Sequence, residues 1–237
     1  MDEDKSILLA RVAETAKRFD DMADYMKMRV DNGAPLNPEE REMFSAAFKN
    51  SLTIRRHAVR VAVSVADQER QAKNDDKANL ATGYKSIVEN ELSGICLKAL
   101  DLLKSKLVPT ATDGEAKTFY LKMTGDYYRY MAEFAVGDAR QRSAEDAKAA
   151  YEEGMVEAAA NLPITHPVRM GLALNFSVFQ HEVLGETQAA IATAKKALED
   201  SREFIPSLPE ESKQDVILTC QLLDDNLSLW EPAEAAA

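Results

Sequence analysis

An arginine and a tyrosine stand side by side at Arg129 and Tyr130, in the segment Gly-Asp-Tyr-Tyr-Arg-Tyr-Met-Ala-Glu-Phe-Ala at residues 125–135. A guanidinium presents its N–H groups as a planar fork, and a phenol adds a hydroxyl donor. Together these groups match the oxygen atoms of a phosphoryl group. The pair therefore predicts a phosphate-binding site.

A second basic segment contains Lys49 and Arg56, which are seven residues apart. That spacing places them on one face of a helix, two turns apart. If this helix faces the segment of Arg129 and Tyr130, a phosphoryl group would meet two guanidinium groups, an ammonium and a hydroxyl. The alternative is that each segment is a solvated helix face, which is the commoner place for charged residues.

The overall charge restricts the partners that the protein can bind. A formal net charge of −11 at pH 7 repels nucleic acids and anionic membranes at long range. No run of eighteen apolar residues occurs, so we expect no membrane insertion. A basic pocket in an acidic protein favours ligands that carry arginines around a single phosphate, because the surroundings attract the arginines while the pocket binds the anion.

No residue pattern typical of catalysis or metal binding is present. His57, His166 and His181 lack the spacing of metal ligands, and Cys96 and Cys220 lie in apolar helical surroundings typical of buried thiols. The sequence contains neither a serine-nucleophile motif nor a phosphate-binding glycine loop. We therefore expect no enzymatic activity, no metal and no cofactor.

The elements that must position the basic residues are helices. Apolar residues recur at helical spacing, and no long run alternates apolar and polar residues, so the sequence predicts an all-α protein of about nine helices. The first two helices are expected near residues 3–17 and 20–32. Asn-Pro-Glu-Glu at residues 37–40 begins a third that continues to about residue 73.

Turn residues set the later boundaries. The fourth helix is expected to end before Pro109, Asp113 precedes the fifth, and Thr165 is predicted to cap a seventh helix with Pro167 in its first turn. Short loops favour antiparallel neighbours. We expect these helices to form a curved, cup-shaped protomer with a concave amphipathic groove.

Several blocks of this sequence resemble the 14-3-3 protein family in their order and spacing. They are Arg-Phe-Asp-Asp-Met at 18–22, Lys-Asn at 49–50, Arg-Arg at 55–56, Tyr-Leu-Lys-Met at 120–123, Gly-Asp-Tyr-Tyr-Arg-Tyr at 125–130, Thr-His-Pro at 165–167, Gly-Leu-Ala-Leu-Asn-Phe-Ser-Val-Phe at 171–179, Gln-Leu-Leu at 221–223, Asp-Asn-Leu at 225–227 and Leu-Trp at 229–230. The resemblance covers essentially the whole chain.

The resemblance implies an adaptor that binds phosphoserine or phosphothreonine peptides, as a homodimer or as a heterodimer with paralogues, in the cytoplasm or nucleus. It implies a single domain at 1–230, with helices 1–4 as the dimerisation floor, helices 3, 5, 7 and 9 as the ligand groove, and a short disordered tail at 231–237. The implied phosphate-binding residues are Lys49, Arg56, Arg129 and Tyr130, and we expect the three cations to be exposed in a groove. The implied peptide-binding residues are Lys122, Leu174, Asn175, Val178, Glu182, Leu218, Leu222, Asn226 and Trp230.

The resemblance also implies a dimer interface, which this chain would modify. Its residues would be Val12, Ala16, Arg18, Asp21, Ala58, Ala62, Val65, Tyr84 and Glu91. The family usually carries a serine at the position of Ala58, so control by phosphorylation there should be missing. Ile87 replaces a lysine expected to pair with Asp21, unless Lys85 substitutes for it.

A second architecture remains open on the residues alone. The segment 165–201 has the small-residue spacing of a tetratricopeptide unit. Such a helical scaffold would bind unphosphorylated peptides in its concave surface. Dependence of binding on a phosphate separates this alternative from the phosphopeptide adaptor, and turnover would identify an all-α hydrolase or transferase, a more distant third.

Overall fold

The computed structural model describes residues 3–231, and the side chains within that range except at positions 3, 4, 211 and 212. The range contains nine α-helices and no strand, which confirms the all-α prediction. The helices are α1 (Glu3–Thr15), α2 (Phe19–Asp31), α3 (Pro38–Gln71), α4 (Asp75–Leu102), α5 (Gly114–Phe134), α6 (Gly137–Asn161), α7 (Pro167–Glu182), α8 (Thr187–Arg202) and α9 (Glu210–Trp230). Residues 232–237 of the predicted tail lie outside the described residues.

Two short turns of other helical types accompany them. A π-helical turn, Leu103–Leu107, extends α4, and a 3₁₀ turn, Ile205–Ser207, precedes α9. No helix of the described range is both long enough and apolar enough to cross a membrane. The chain packs as two compact units, with the boundary between Thr110 and Ala111.

The first unit contains α1 to α4, and its longest helix begins as the sequence predicts. The side chain of Asn37 accepts a hydrogen bond from the Glu40 backbone N–H at 2.9 Å, and the Asn37 backbone N–H donates to the Glu40 carboxylate at 2.9 Å. This reciprocal capping box satisfies two N–H groups that a helix start would otherwise leave unpaired. The Glu40 carboxylate also accepts two hydrogen bonds from buried Arg29, each at 2.9 Å, which ties α2 to α3.

The second unit contains α5 to α9, and two of its helix starts test the predicted caps. Asp113 caps α5 as expected, since its side chain accepts from the Ala116 backbone N–H at 2.7 Å. The predicted cap at Thr165 is wrong. Helix α7 begins at Pro167, so the cap is His166, whose Nδ1 accepts from the Val168 backbone N–H at 3.3 Å.

A close helix–helix approach within the second unit depends on Gly125. A Cβ atom at this position would lie 2.7 Å from the ring of Tyr151 on α6, which is closer than real Cβ contacts come. The absence of a side chain at Gly125 therefore lets α5 approach α6 closely, and the Tyr151 ring packs directly against Gly125. On its other side, Tyr151 packs against Phe176 and Phe179 of α7, with ring centroids 5.6 and 5.3 Å away. This packing directs the Tyr151 hydroxyl toward α5.

Candidate functional site

The two residues of α5 that suggested a phosphate site contact each other. The guanidinium carbon of Arg129 lies 4.6 Å from the centroid of the Tyr130 ring, an attractive cation–π distance. Tyr130 is half-buried, whereas Arg129 is only 8% exposed. The expectation that the Arg129 side chain is exposed is therefore wrong.

Hydrogen bonds within its own unit compensate for the burial of Arg129. Its Nε donates to the Tyr151 hydroxyl at 3.3 Å, and its Nη1 donates to the Glu133 carboxylate at 3.2 Å. Burial acts to lower the pKa of Arg129, but its interactions with Tyr151 and Asp126 raise the pKa above the ordinary value. The guanidinium therefore keeps its charge at every physiological pH.

The carboxylate of Asp126 connects several of the predicted ligand-binding residues. It accepts from the Tyr151 hydroxyl at 2.6 Å, from Lys122 Nζ at 2.9 Å, and from Asn175 Nδ2 at 2.8 and 3.0 Å. Burial acts to raise the pKa of this carboxyl. The charges of Lys122 and Arg129, with the hydrogen bond from Tyr151, outweigh burial, so the pKa of Asp126 lies below its ordinary value.

Sequence reasoning assigned no role to Asp126, Tyr151 or Glu133. Two of them had a visible signal, because Asp126 lies three residues before Arg129 and Glu133 four residues after it, which places all three on one helix face. Tyr151 had none, because it lies on the next helix and reaches α5 only through tertiary packing.

Two basic residues of α3 belong to the first unit and stay predictions as phosphate ligands. Lys49 is exposed, and its ammonium makes no hydrogen bond or ion pair within the part of the chain that the structure describes. Arg56 is half-buried. The neighbouring Arg55 has a structural role instead, since it donates to Asp20 at 2.9 Å and to Glu91 at 3.1 Å.

The predicted apolar wall is partly accessible. On α9, Leu218 is 56% exposed and Leu222 is 44% exposed, whereas the adjacent Leu223 is fully buried. On α7, Val178 is half-buried, and Leu174 packs against the core cluster that contains Leu223. The exposed leucines therefore offer contact surface, while Leu174 contributes partly to the core.

The polar residues of the same two helices lie at different depths. Glu182 is exposed, and Asn226 and Trp230 are half-buried. The Trp230 ring stacks on His181 with centroids 4.9 Å apart, which fastens the end of α9 to the end of α7. Roles of these residues in peptide binding stay predictions.

Most of the predicted interface residues of the first unit are exposed. Val12 and Tyr84 are each 56% exposed and Val65 is 41% exposed. Ala16 is exposed and Ala58 is half-buried. The expectation of accessible surface is wrong for Ala62, which is 5% exposed.

Charged residues assigned to that interface have partners within the chain. Arg18 pairs with Asp21, Glu91 accepts from Arg55, and Lys85 pairs with Glu89 on its own helix at 3.1 Å. The roles of Arg18 and Glu91 in a dimer interface stay predictions. Among the described residues, no group of three or more His, Cys, Asp or Glu could hold a metal ion.

These features define an all-α protein with a buried, permanently charged arginine beside a tyrosine and an exposed leucine face. The 14-3-3 protein family model matches residues 9–231. The chain is 45% identical over 233 residues to 14-3-3-like protein B of Glycine max, covering 97% of this chain and 94% of that protein. It is 44% identical over 230 residues to 14-3-3 protein beta/alpha-A of Xenopus laevis, covering 97% of this chain and 93% of that protein.

The chain belongs to the 14-3-3 family. The resemblance inferred from its sequence blocks is thus confirmed, and with it the function of an adaptor that binds phosphorylated peptides. Members of the family are adaptors rather than enzymes. The comparisons do not support the tetratricopeptide-like alternative.

Proposed function

We propose that this chain binds phosphoserine and phosphothreonine segments of client proteins in an extended conformation, with Lys49, Arg56, Arg129 and Tyr130 as the phosphate ligands. The observation that supports this most strongly is the state of Arg129. Only two of its five N–H groups donate within the described residues, to Tyr151 and Glu133. A fixed, permanently charged guanidinium with spare donors is suited to a phosphate dianion.

The peptide backbone would be bound beside the phosphate. Lys122 uses one of its three N–H groups on Asp126, and Asn175 uses its amide nitrogen on the same carboxylate. The amide of Asn226 makes no hydrogen bond within the described part of the chain and is half-buried. Each of these groups retains capacity for a peptide N–H or C=O group.

Client side chains next to the phosphate would contact the leucine face of α9. Leu218 and Leu222 are exposed, whereas Leu223 and Leu227 of the same helix are buried in the core. An exposed apolar stripe next to polar donors is typical of a surface that binds another chain. Val178 and Trp230 would extend it.

The charge of the protein would select the sequence around the phosphate. With a net charge of −11, the chain attracts basic segments at long range, while the local cations bind the phosphate. We therefore expect clients with arginines close to a single phosphorylated serine or threonine.

Binding alone would produce the effect on the client, without turnover. Through the exposed residues of the first unit, such as Val12, Val65 and Tyr84, the chain would form a dimer that presents two sites. Two linked sites raise the overall affinity for a doubly phosphorylated client without any new contact. Complexes of this kind would form in the cytoplasm and nucleus, where kinases act.

A titration with one arginine-rich peptide tests the proposal. The fluorescent peptide is prepared with serine, phosphoserine or aspartate at the same position, and its anisotropy is followed as protein is added. Each charge-assisted contact with the phosphate contributes roughly 1.5–3 kcal/mol, so removing the phosphate should weaken binding at least about a hundredfold. Equal affinity for the serine and phosphoserine peptides would refute the proposal and favour a scaffold for unphosphorylated segments.

A further inference from the structure

We propose that Asp126 is a positioning residue of the ligand site, and that its buried carboxylate turns Asn175 into a dedicated hydrogen-bond acceptor for the peptide. The inference rests on the proposed function. Asp126 is 8% exposed and cannot itself contact a phosphate favourably, because both groups are anionic. Its role would be to set the geometry of the side chains that do touch the ligand.

The acceptor positions of this carboxylate are all in use. Oδ1 accepts from the Tyr151 hydroxyl at 2.6 Å and from Asn175 Nδ2 at 2.8 Å. Oδ2 accepts from Lys122 Nζ at 2.9 Å and from Asn175 Nδ2 at 3.0 Å. A carboxylate with about four lone-pair sites is therefore saturated, and each donor is held in one direction.

The orientation of the Asn175 amide follows from the chemistry of its partner. An amide presents either nitrogen or oxygen to a neighbour, and the choice depends on the hydrogen-bond network. An ionised carboxylate only accepts, so Asn175 must turn its nitrogen toward Asp126. Its carbonyl oxygen is directed away from Asp126, and Asn175 would therefore recognise a peptide N–H group rather than a peptide carbonyl.

A second chain of hydrogen bonds from Asp126 orients Arg129. The Tyr151 hydroxyl gives its only proton to Asp126, so its oxygen must accept from Arg129 Nε. Burial and the nearby Asp126 carboxylate raise the pKa of Tyr151 well above its ordinary value, so the hydroxyl keeps this proton. The direction of the relay from Arg129 to Tyr151 to Asp126 is thus defined. The Asp126 carboxylate would therefore fix the relative positions of Arg129, which would bind the phosphate, and Asn175, which would bind the peptide backbone.

Variants of the full chain separate positioning from general stability. Asp126→Asn keeps the shape of the side chain but adds N–H donors. These donors would reverse the orientation of the Asn175 amide, and the loss of the negative charge would remove the attraction between residue 126 and Lys122. Glu157→Gln is the matched control, because Glu157 accepts from Lys117 at 2.8 Å within the same unit and contacts none of the assigned ligand residues. We expect Asp126→Asn to weaken phosphopeptide binding about tenfold or more, and Glu157→Gln to change it less than about twofold.

A spectroscopic measurement on the ligand-free protein tests the orientation directly. The side-chain NH₂ signals of Asn175, assigned by their loss in Asn175→Ala, should be protected from exchange in the unaltered chain. They should shift in Asp126→Asn and stay in place in Glu157→Gln. A variant that is merely less stable would not move one amide selectively. If Asp126→Asn fails to fold, rapid exchange of the Asn175 NH₂ protons in the unaltered chain overturns the proposal, and protection supports it.

Peptides with single amide-to-ester replacements test the acceptor role. Each replacement removes one backbone N–H of the phosphopeptide. One replaced peptide should bind the unaltered chain more weakly than the parent peptide does, whereas Asn175→Ala should bind the two peptides with nearly equal affinity. Failure of every replacement to show this dependence would overturn the acceptor role. Unaltered binding by folded Asp126→Asn would overturn positioning alone. If the unaltered chain bound no phosphopeptide, the proposed function itself would fail.

Discussion

Charge reversal at two basic residues should affect the fold very differently, although both changes should weaken phosphopeptide binding. Lys49→Glu and Arg129→Glu each replace a predicted phosphate ligand with an anion. Lys49 is exposed and makes no ion pair within the described residues, so its reversal should change the free energy of unfolding by less than about 0.5 kcal/mol. Arg129 is 8% exposed, and its Nη2 lies 3.8 Å from the Asp126 carboxylate.

The magnitude for Arg129→Glu follows from the groups that it would leave behind. Breaking a buried ion pair from one side costs about 3–5 kcal/mol, since the remaining charge stays buried. The new carboxylate would also face Asp126 and Glu133, which repel it, and Tyr151 would lose its Nε donor. In a domain of 150–250 residues each kcal/mol lowers the Tm by about 2–4 °C, so we expect a fall of about 6–20 °C.

Circular dichroism melting and peptide anisotropy, at one fixed protein concentration, measure the two effects separately. Lys49→Glu should have the same Tm as the unaltered chain. It should bind the phosphopeptide at least about tenfold more weakly, because it loses one charge-assisted contact and adds repulsion. Arg129→Lys is the control that keeps the positive charge and loses the planar set of guanidinium N–H donors. An Arg129→Glu variant that melts with the unaltered chain would refute the reasoning from burial, and full binding by Lys49→Glu would remove Lys49 from the site.

Three further outcomes are expected. Leu222→Asp should impair client binding and keep the helical content, because Leu222 is 44% exposed, whereas Leu223→Asp next to it should unfold the second unit; melting curves that coincide would contradict this. Ala58→Glu should shift the protein toward monomer in sedimentation, while the unaltered chain stays dimeric after treatment with kinases; a variant as dimeric as its parent would argue against this interface. Because the folded pKa of Asp126 lies below its ordinary value of 3.8, this carboxyl stabilises the fold above that pH and its contribution is lost as the pH falls through the folded pKa. The stability gap between the unaltered chain and Asp126→Asn in urea titrations should therefore be widest at neutral pH and shrink in acid, and a gap independent of pH would contradict the assignment.

Local chemistry explains which parts of this protein the sequence alone determined. The starts of α3 and α5 were predicted correctly because a cap is made by residues at most three positions apart, as in Asn37 with Glu40 and Asp113 with Ala116. The all-α class followed from apolar periodicity along the chain. Family membership followed from short blocks whose order is itself a property of the sequence.

Burial and hydrogen-bond partners depended on contacts that the sequence does not display. The burial of Arg129 beside Tyr151 of α6, and the burial of Ala62 by the packing of the first unit, could not be read from the sequence. Leu222 and Leu223 are neighbours in sequence, yet only one is accessible, because a helix turns successive side chains by about 100° and tertiary packing decides which direction is covered. Caps and periodicity arise between residues close in the chain, so the sequence displays them directly. The depth and orientation of Arg129 and Asn175 depend also on partners that are distant in the chain and meet only on folding, because Asp126 lies 25 positions from Tyr151 and 49 from Asn175.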